Sequence, residues 1–114
     1  MNSSANLRHT GDVAIIDVAG RISLNDGLGA MRTAIRDAVN AGHKKILLNL
    51  AEVSYIDSAG LGEMASAYIT VTNMGGKMKL LHTQDRVNSM LHVTKLYTLL
   101  VAYTDETVAL ASFR

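Results

Sequence analysis

Residues 46–50 read ILLNL, a strand-length run whose apolar side chains fall on consecutive positions rather than alternate ones. Such a run needs both its faces buried, which is the situation of a central strand in a parallel sheet. It leads into residues 53–64, VSYIDSAGLGEM, and then into a segment of helical pattern at residues 61–73. Strand, loop and helix in that order set Asp57 and Ser58 at a junction where the first helical amides are unpaired and where open α/β sheets concentrate their binding sites. The chain is therefore expected to be organised around one buried strand, with its functional residues just past the strand's carboxyl end.

The flanking segments supply neighbours for that strand. Residues 5–9 and 13–18 (VAIIDV) read as strands joined by a turn at Thr10-Gly11-Asp12, an N-terminal hairpin. Residues 19–23 are expected to carry the chain off the sheet into a helix over residues 25–41, with Leu28, Met31, Ile35, Ala38 and Val39 on one face. Asn25 or Asp26 is placed to cap this helix, and Gly42 to close it in the left-handed conformation. Gly27 and Gly29 fall in its first turn, where each costs roughly 1 kcal/mol relative to alanine, so the turn either frays or is approached closely by a partner. The helix at 61–73 is expected to turn Leu61, Met64, Ala65, Tyr68, Ile69 and Thr72 inward and to end at Met74-Gly75-Gly76. A strand at 77–81, a helix at 85–93 burying Val87, Met90 and Leu91, a last strand at 98–103 (TLLVAY) and a terminal helix capped by Thr104 or Asp105 complete the chain. With no repeat or linker, residues 1–114 read as a single α/β domain. Its expected architecture is a mixed, mainly parallel sheet of about five strands with an N-terminal hairpin, layered against about four helices. In such a sheet the loops after Ile22, Ile56 and Leu81 share one edge, which would bring Ser23, Asn25, Asp57, Ser58 and His82 to one surface.

Several function classes are disfavoured by what the chain lacks. Its 114 residues suffice for one core but not for two lobes enclosing a substrate. A net charge of +1, with basic residues scattered apart from Lys44-Lys45 and Lys77/Lys79, and a single Phe with no Trp, argue against a nucleic-acid surface. Hydrophobic residues reach 48% without any run long enough to span a bilayer, so no membrane partner is expected. The absence of cysteine removes disulfides, thiolate metal sites and a cysteine nucleophile together. The start, MNSSANLRHTGD, lacks the apolar centre of a signal peptide, and a cytoplasmic location is expected.

Ser58 admits two readings, a helix cap or an accessible functional hydroxyl. Gly60 and Gly62 leave backbone exposed beside it, as close approach by another macromolecule would require, and Asp57 adds a negative charge with no cation nearby in sequence. An esterase elbow needs G-x-S-x-G, and residues 56–60 read IDSAG, without the first glycine. None of His9, His43, His82 and His92 has a recognisable catalytic partner, and no HExxH or paired-ligand spacing exists. A phospho-accepting Asp57 would need a carboxylate cluster for Mg²⁺ and a lysine ending the last strand. The chain offers only Asp17, read as buried mid-strand, and ends that strand Ala102-Tyr103-Thr104. The chain is thus not expected to be an enzyme, and no cofactor or metal is expected.

Residues 46–62, ILLNLAEVSYIDSAGLG, resemble the signature of the STAS family, and within it most closely the single-domain bacterial anti-sigma factor antagonists, where a strand of this type precedes an acidic loop and D-S-x-G-L-G. The resemblance extends to Gly20-Arg21-Ile22, to Gly75-Gly76 and to residues 87–91 followed by Leu96, essentially the whole chain. It implies that Ser58 is phosphorylated by an anti-sigma factor serine kinase, which supplies ATP and Mg²⁺. Asp57 is then the acidic residue before the acceptor and Gly60-Leu61-Gly62 the turn that packs the helix start. It further implies a partner-binding surface of Ser23, Asn25, Asp57, Ser58, Ala59, Gly60, Leu61 and Gly62. In this scheme the unphosphorylated protein binds the anti-sigma factor and frees a sigma factor, phosphorylation ends the binding, and a phosphatase acting on phospho-Ser58 restores it. Ser23 stands where sporulation-type members carry an acidic residue, a departure that bears on the charge contact to the kinase, and Ala59 replaces a second serine. The alternative within the family is a non-switched interaction or scaffold module, such as a stress-complex subunit or lipid-transport accessory protein, in which Ser58 is only a cap.

Overall fold

The computed structural model describes residues 3–24 and 26–114. Among them, five strands pair in chain order: β1 Ser4–Thr10, β2 Val13–Ile22, β3 Lys45–Ile56, β4 Lys77–Leu81 and β5 Ala102–Tyr103. β1 and β2 form the antiparallel hairpin, with Gly11 at φ 60° in its turn, and every later neighbour is parallel. Four helices accompany the sheet, α1 Leu28–Asn40, α2 Ser58–Asn73, α3 Asp85–Val93 and α4 Glu106–Ala111, so the expected mixed, mainly parallel architecture is the observed one.

The consecutive apolar residues of β3 divide between two cores. Ile46, Leu48 and Leu50 face α1, α2 and α3 and pack with Met31, Ile35, Leu61, Met64 and Val87. Leu47 points the other way, where α4 and the C-terminus cover it together with Val13, Ile15, Ala109 and Phe113. Burying both sides of the strand is what its lack of alternation requires. No helix of the described residues is long and apolar enough to cross a membrane.

Helix ends follow local chemistry. Gly42 closes α1 at φ 95°, with its amide donating to the carbonyl of Val39 and that of His43 to Ala38. Gly75, at φ 79°, ends α2, and the Asp105 carboxylate caps α4 by accepting from the amide of Val108 at 3.1 Å. At α1, Gly27 is the N-cap and no side chain of the described residues caps it. Asp26 instead accepts from the Ser3 hydroxyl at 2.8 Å, while Asn25 lies outside the described residues.

Other differences have identifiable causes. β2 does not leave the sheet at Ala19 but runs on to Ile22, through two register shifts and a left-handed Gly20 that keep it paired with a β3 extended to Ile56. The stretch 98–103 is not one strand: Lys95 at φ 62° starts a 3₁₀ turn over Leu96–Thr98, leaving only two residues in β5. On α2 the buried stripe includes Val71, whereas Ile69 is 55% exposed and Thr72 faces solvent. Asp17 is half-buried, where Arg8 donates to it at 2.7 Å and Asn49 at 2.8 Å, and Arg8 also reaches Glu106 of α4 at 2.7 Å.

Candidate functional site

β2 and β3 lie side by side, so their carboxyl ends deliver two loops to one place. Ile22 pairs with Ile56, and the carbonyl of Ile22 accepts from the amide of Asp57 at 3.2 Å. Beyond it, Ser23 and Asp26 exchange backbone hydrogen bonds at 2.7 and 3.1 Å, closing a tight turn, and the Ser23 side chain is buried within that turn.

Asp57 joins the two loops. With extended backbone it is the N-cap of α2, and one carboxylate oxygen accepts from the amide of Gly60 at 2.9 Å while the other accepts from Leu24 at 3.1 Å. These backbone donors, that of Gly60 foremost and that of Leu24 next, hold the Asp57 carboxyl below the usual carboxylate range. The charge that sequence left without a partner is thus satisfied by main-chain dipoles.

That assignment removes one of the two readings of Ser58, the helix cap. The residue is the first of the helix and not its cap. It is exposed, and among the described residues its hydroxyl enters no side-chain hydrogen bond. A hydroxyl so placed is accessible beside the positive end of a helix dipole.

The glycines of the turn have separate jobs. A Cβ on Gly60 would stand 2.3 Å from the carbonyl oxygen of Ile22, so this glycine lets α2 seat against the end of β2 and is not surface room for a visitor. Leu61 is 3% exposed and belongs to the core. Only Gly62 is exposed with open space where a Cβ would be, and Ala59 is half-buried. His82 does not join this surface. Leu81 pairs with Asn49, and β3 continues to Ile56 before reaching Asp57, roughly 20 Å further along the strand. His82 instead donates its amide to the carbonyl of Tyr103 in β5.

Some groups around the ends of β2 and β3 had no local signal in sequence. Leu24, tethered through its amide to Asp57, leaves its side chain 69% exposed. Tyr55, three residues before Ser58, has the guanidinium of Arg21 at 4.4 Å from its ring centroid and that of Arg86, from α3, also at 4.4 Å. Neither arginine forms an ion pair among the described residues. Finding this group required the Arg21–Tyr55 register, which only the bulged pairing of β2 with β3 creates. The acid of the first turns of α2, Glu63, is occupied by Arg32 of α1 through two hydrogen bonds of 2.8 and 3.1 Å. No group of three or more metal-ligating side chains occurs among the described residues.

Known proteins share this fold. The anti-sigma F factor antagonist of Paenibacillus polymyxa is 24% identical over 111 residues, which cover 96% of this chain and 94% of that protein. An anti-sigma factor antagonist from Mycobacterium paratuberculosis superposes with a TM-score of 0.89 at 19% identity, over 99% of this chain and 95% of the other. The Bacillus cell fate determinant SpoIIAA in its phosphorylated form superposes with a TM-score of 0.73 at 20% identity, over 97% of this chain and 100% of the other. The STAS domain family model matches residues 4–111, and the chain belongs to the STAS family.

Proposed function

We propose that this protein is an anti-sigma factor antagonist whose binding is switched by phosphorylation of Ser58. The observation that carries the reading is the state of Ser58: an exposed first helical residue with an uncommitted hydroxyl, beside an aspartate whose carboxylate is already engaged by two loops. The names of its relatives, and the phosphorylated form in which one similar protein was solved, support the same assignment.

In this reading the unphosphorylated protein binds an anti-sigma factor that is also a serine kinase, and a sigma factor is released. The kinase contributes the nucleotide and its metal, so the antagonist needs neither. Its contact surface comprises Ser58, Ala59 and Gly62, the exposed Leu24 as an apolar anchor, and the Arg21–Tyr55–Arg86 stack as a positive flank. Gly60, Leu61 and Ser23 act from below by holding that surface in shape.

A phosphoryl group adds about 1.5 to 2 negative charges at neutral pH. The amino end of α2 accommodates an anion, so the fold persists. The partner interface does not, because the added charge beside Asp57 must be desolvated or repelled. A loss of about 3 kcal/mol weakens binding more than a hundredfold. A phosphatase acting on phospho-Ser58 returns the protein to its binding form.

The test is to incubate the protein with its candidate anti-sigma kinase and ATP and to map the phosphate by mass spectrometry. A single phosphate on Ser58, absent in Ser58→Ala, is the expected result. Phosphate elsewhere, or none, sinks the reading in favour of an unswitched interaction module.

A further inference from the structure

At the opposite end of the sheet from Ser58, two histidines meet. His9 sits near the end of edge strand β1 and His43 in the turn between α1 and β3, and their Nε2 atoms are 2.9 Å apart with ring centroids at 4.6 Å. His9 is exposed and His43 half-buried, so the pair is open to solvent. In the metal-free protein one ring donates N–H to the other. Neither residue contributes to the proposed phosphorylation switch.

We propose that the His9–His43 pair is a binding site for a divalent transition-metal ion with a preference for square-planar or octahedral coordination, Cu²⁺ or Ni²⁺ in chemical class. Imidazole nitrogens bind such ions at about 2.0–2.1 Å. Two nitrogens at that bond length and 2.9 Å apart subtend an angle of about 90° at a shared ion, the cis angle of those geometries, whereas a tetrahedral ion spreads its ligands to about 3.4 Å. For both Nε2 atoms to bind the ion, the donor ring shifts its proton from Nε2 to Nδ1 through solvent, so that each neutral ring offers an Nε2 lone pair.

The surroundings narrow the choice further. Asp12, the acidic residue of the adjacent turn, is held by Lys45 at 2.6 Å, and Lys44 adds a second positive charge nearby. Among the described residues no carboxylate cluster is available for a hard cation, so Mg²⁺ and Ca²⁺ are disfavoured. Water fills the remaining coordination positions. A bound ion would tie the edge strand to the start of β3 and stabilise the fold in proportion to its concentration over its dissociation constant.

The test uses the full chain without an affinity tag, titrated calorimetrically with Ni²⁺, Cu²⁺, Zn²⁺ and Mg²⁺. One site per chain for Ni²⁺ and Cu²⁺, weaker uptake of Zn²⁺ and no response to Mg²⁺ are expected. His9→Ala or His43→Ala should each lower Ni²⁺ affinity at least tenfold, while His82→Ala and His92→Ala leave it unchanged. In proton NMR spectra, substoichiometric Ni²⁺ should broaden the ring signals of His9 and His43 before those of His82 and His92. Affinity unaltered in both His9→Ala and His43→Ala, broadening centred on another histidine, or no heat with either ion would overturn the assignment.

Discussion

The tripeptide Gly-Leu-Gly occurs at the start of two adjacent helices, as residues 27–29 in α1 and residues 60–62 in α2, and the chain uses it differently in each. In α1, Gly27 is the N-cap itself, at φ 83°, and no side chain of the described residues caps the first amides. In α2 the tripeptide starts two residues into the helix, because Asp57 caps from outside and Ser58 and Ala59 come first. Both first glycines are required by the main chain of β2: a Cβ would stand 1.7 Å from the carbonyl oxygen of Arg21 at Gly27, and 2.3 Å from that of Ile22 at Gly60. Both second glycines, Gly29 and Gly62, have open space. The difference is therefore in the cap. The side-chain cap of α2 leaves the hydroxyl of Ser58 exposed beside it, and the glycine cap of α1 offers no such hydroxyl.

Substituting the first glycines tests the shared part of this comparison and should give the largest changes in stability. Gly27→Ala combines a left-handed backbone with a main-chain collision and is expected to cost about 3 kcal/mol in denaturant unfolding. Gly60→Ala has only the collision, relieved by a small shift of α2, and should cost about 2 kcal/mol. An equal or smaller loss at Gly27 would show that the loop before α1 yields more readily than the seat of α2.

The cap tests the part that differs. Asp57→Ala removes the acceptor for two amides and should cost about 1 kcal/mol in chemical denaturation, with hydrogen exchange rising at Gly60 and Leu24 together. The pH dependence follows from the depressed carboxyl of Asp57. Its contribution is fully present above the ordinary unfolded carboxylate range near 4 and is lost as pH falls through the lower folded value. Asp57→Asn should therefore flatten the acid limb of the stability curve relative to the wild type. An unchanged limb would assign acid sensitivity to the Arg8 network instead, where Glu106 is lowered chiefly by its bond to Arg8.

The second glycines should show the smallest effects. Gly29→Ala and Gly62→Ala are each expected to stabilise by up to about 0.5–1 kcal/mol, since only helix propensity changes. Gly62→Ala sharpens the comparison if it also weakens partner binding while Gly29→Ala does not, because that assigns the open space at Gly62 to the partner.

The parts of this structure legible from sequence were those governed by short-range rules. ILLNL declared a strand buried on both sides, Gly42 and Gly75-Gly76 marked helix ends, and residues 46–62 carried the family signature. What escaped depended on contacts distant in sequence. Ser58 looks like a cap because a serine before a helix usually is one, yet Asp57 wins the position since its two oxygens serve α2 and the Leu24 loop at once. Gly60 looked like surface room because the carbonyl it avoids, that of Ile22, belongs to another strand. The composition of 98–103 favours a strand, but the left-handed Lys95 starts a 3₁₀ turn that takes Thr98, and only Ala102 and Tyr103 form β5. Arg21 comes beside Tyr55 through a bulged register that no periodicity discloses, and Arg86 reaches the same ring from α3.

The central claim is that one exposed hydroxyl switches a surface whose scaffold does not move. The most direct measurement is the affinity of the candidate anti-sigma kinase for the unphosphorylated protein and for the same protein phosphorylated at Ser58, with thermal unfolding of both forms recorded alongside. The account predicts a fall in affinity of more than a hundredfold with little change in unfolding temperature. Equal affinities, or a loss of binding that accompanies unfolding, would contradict it.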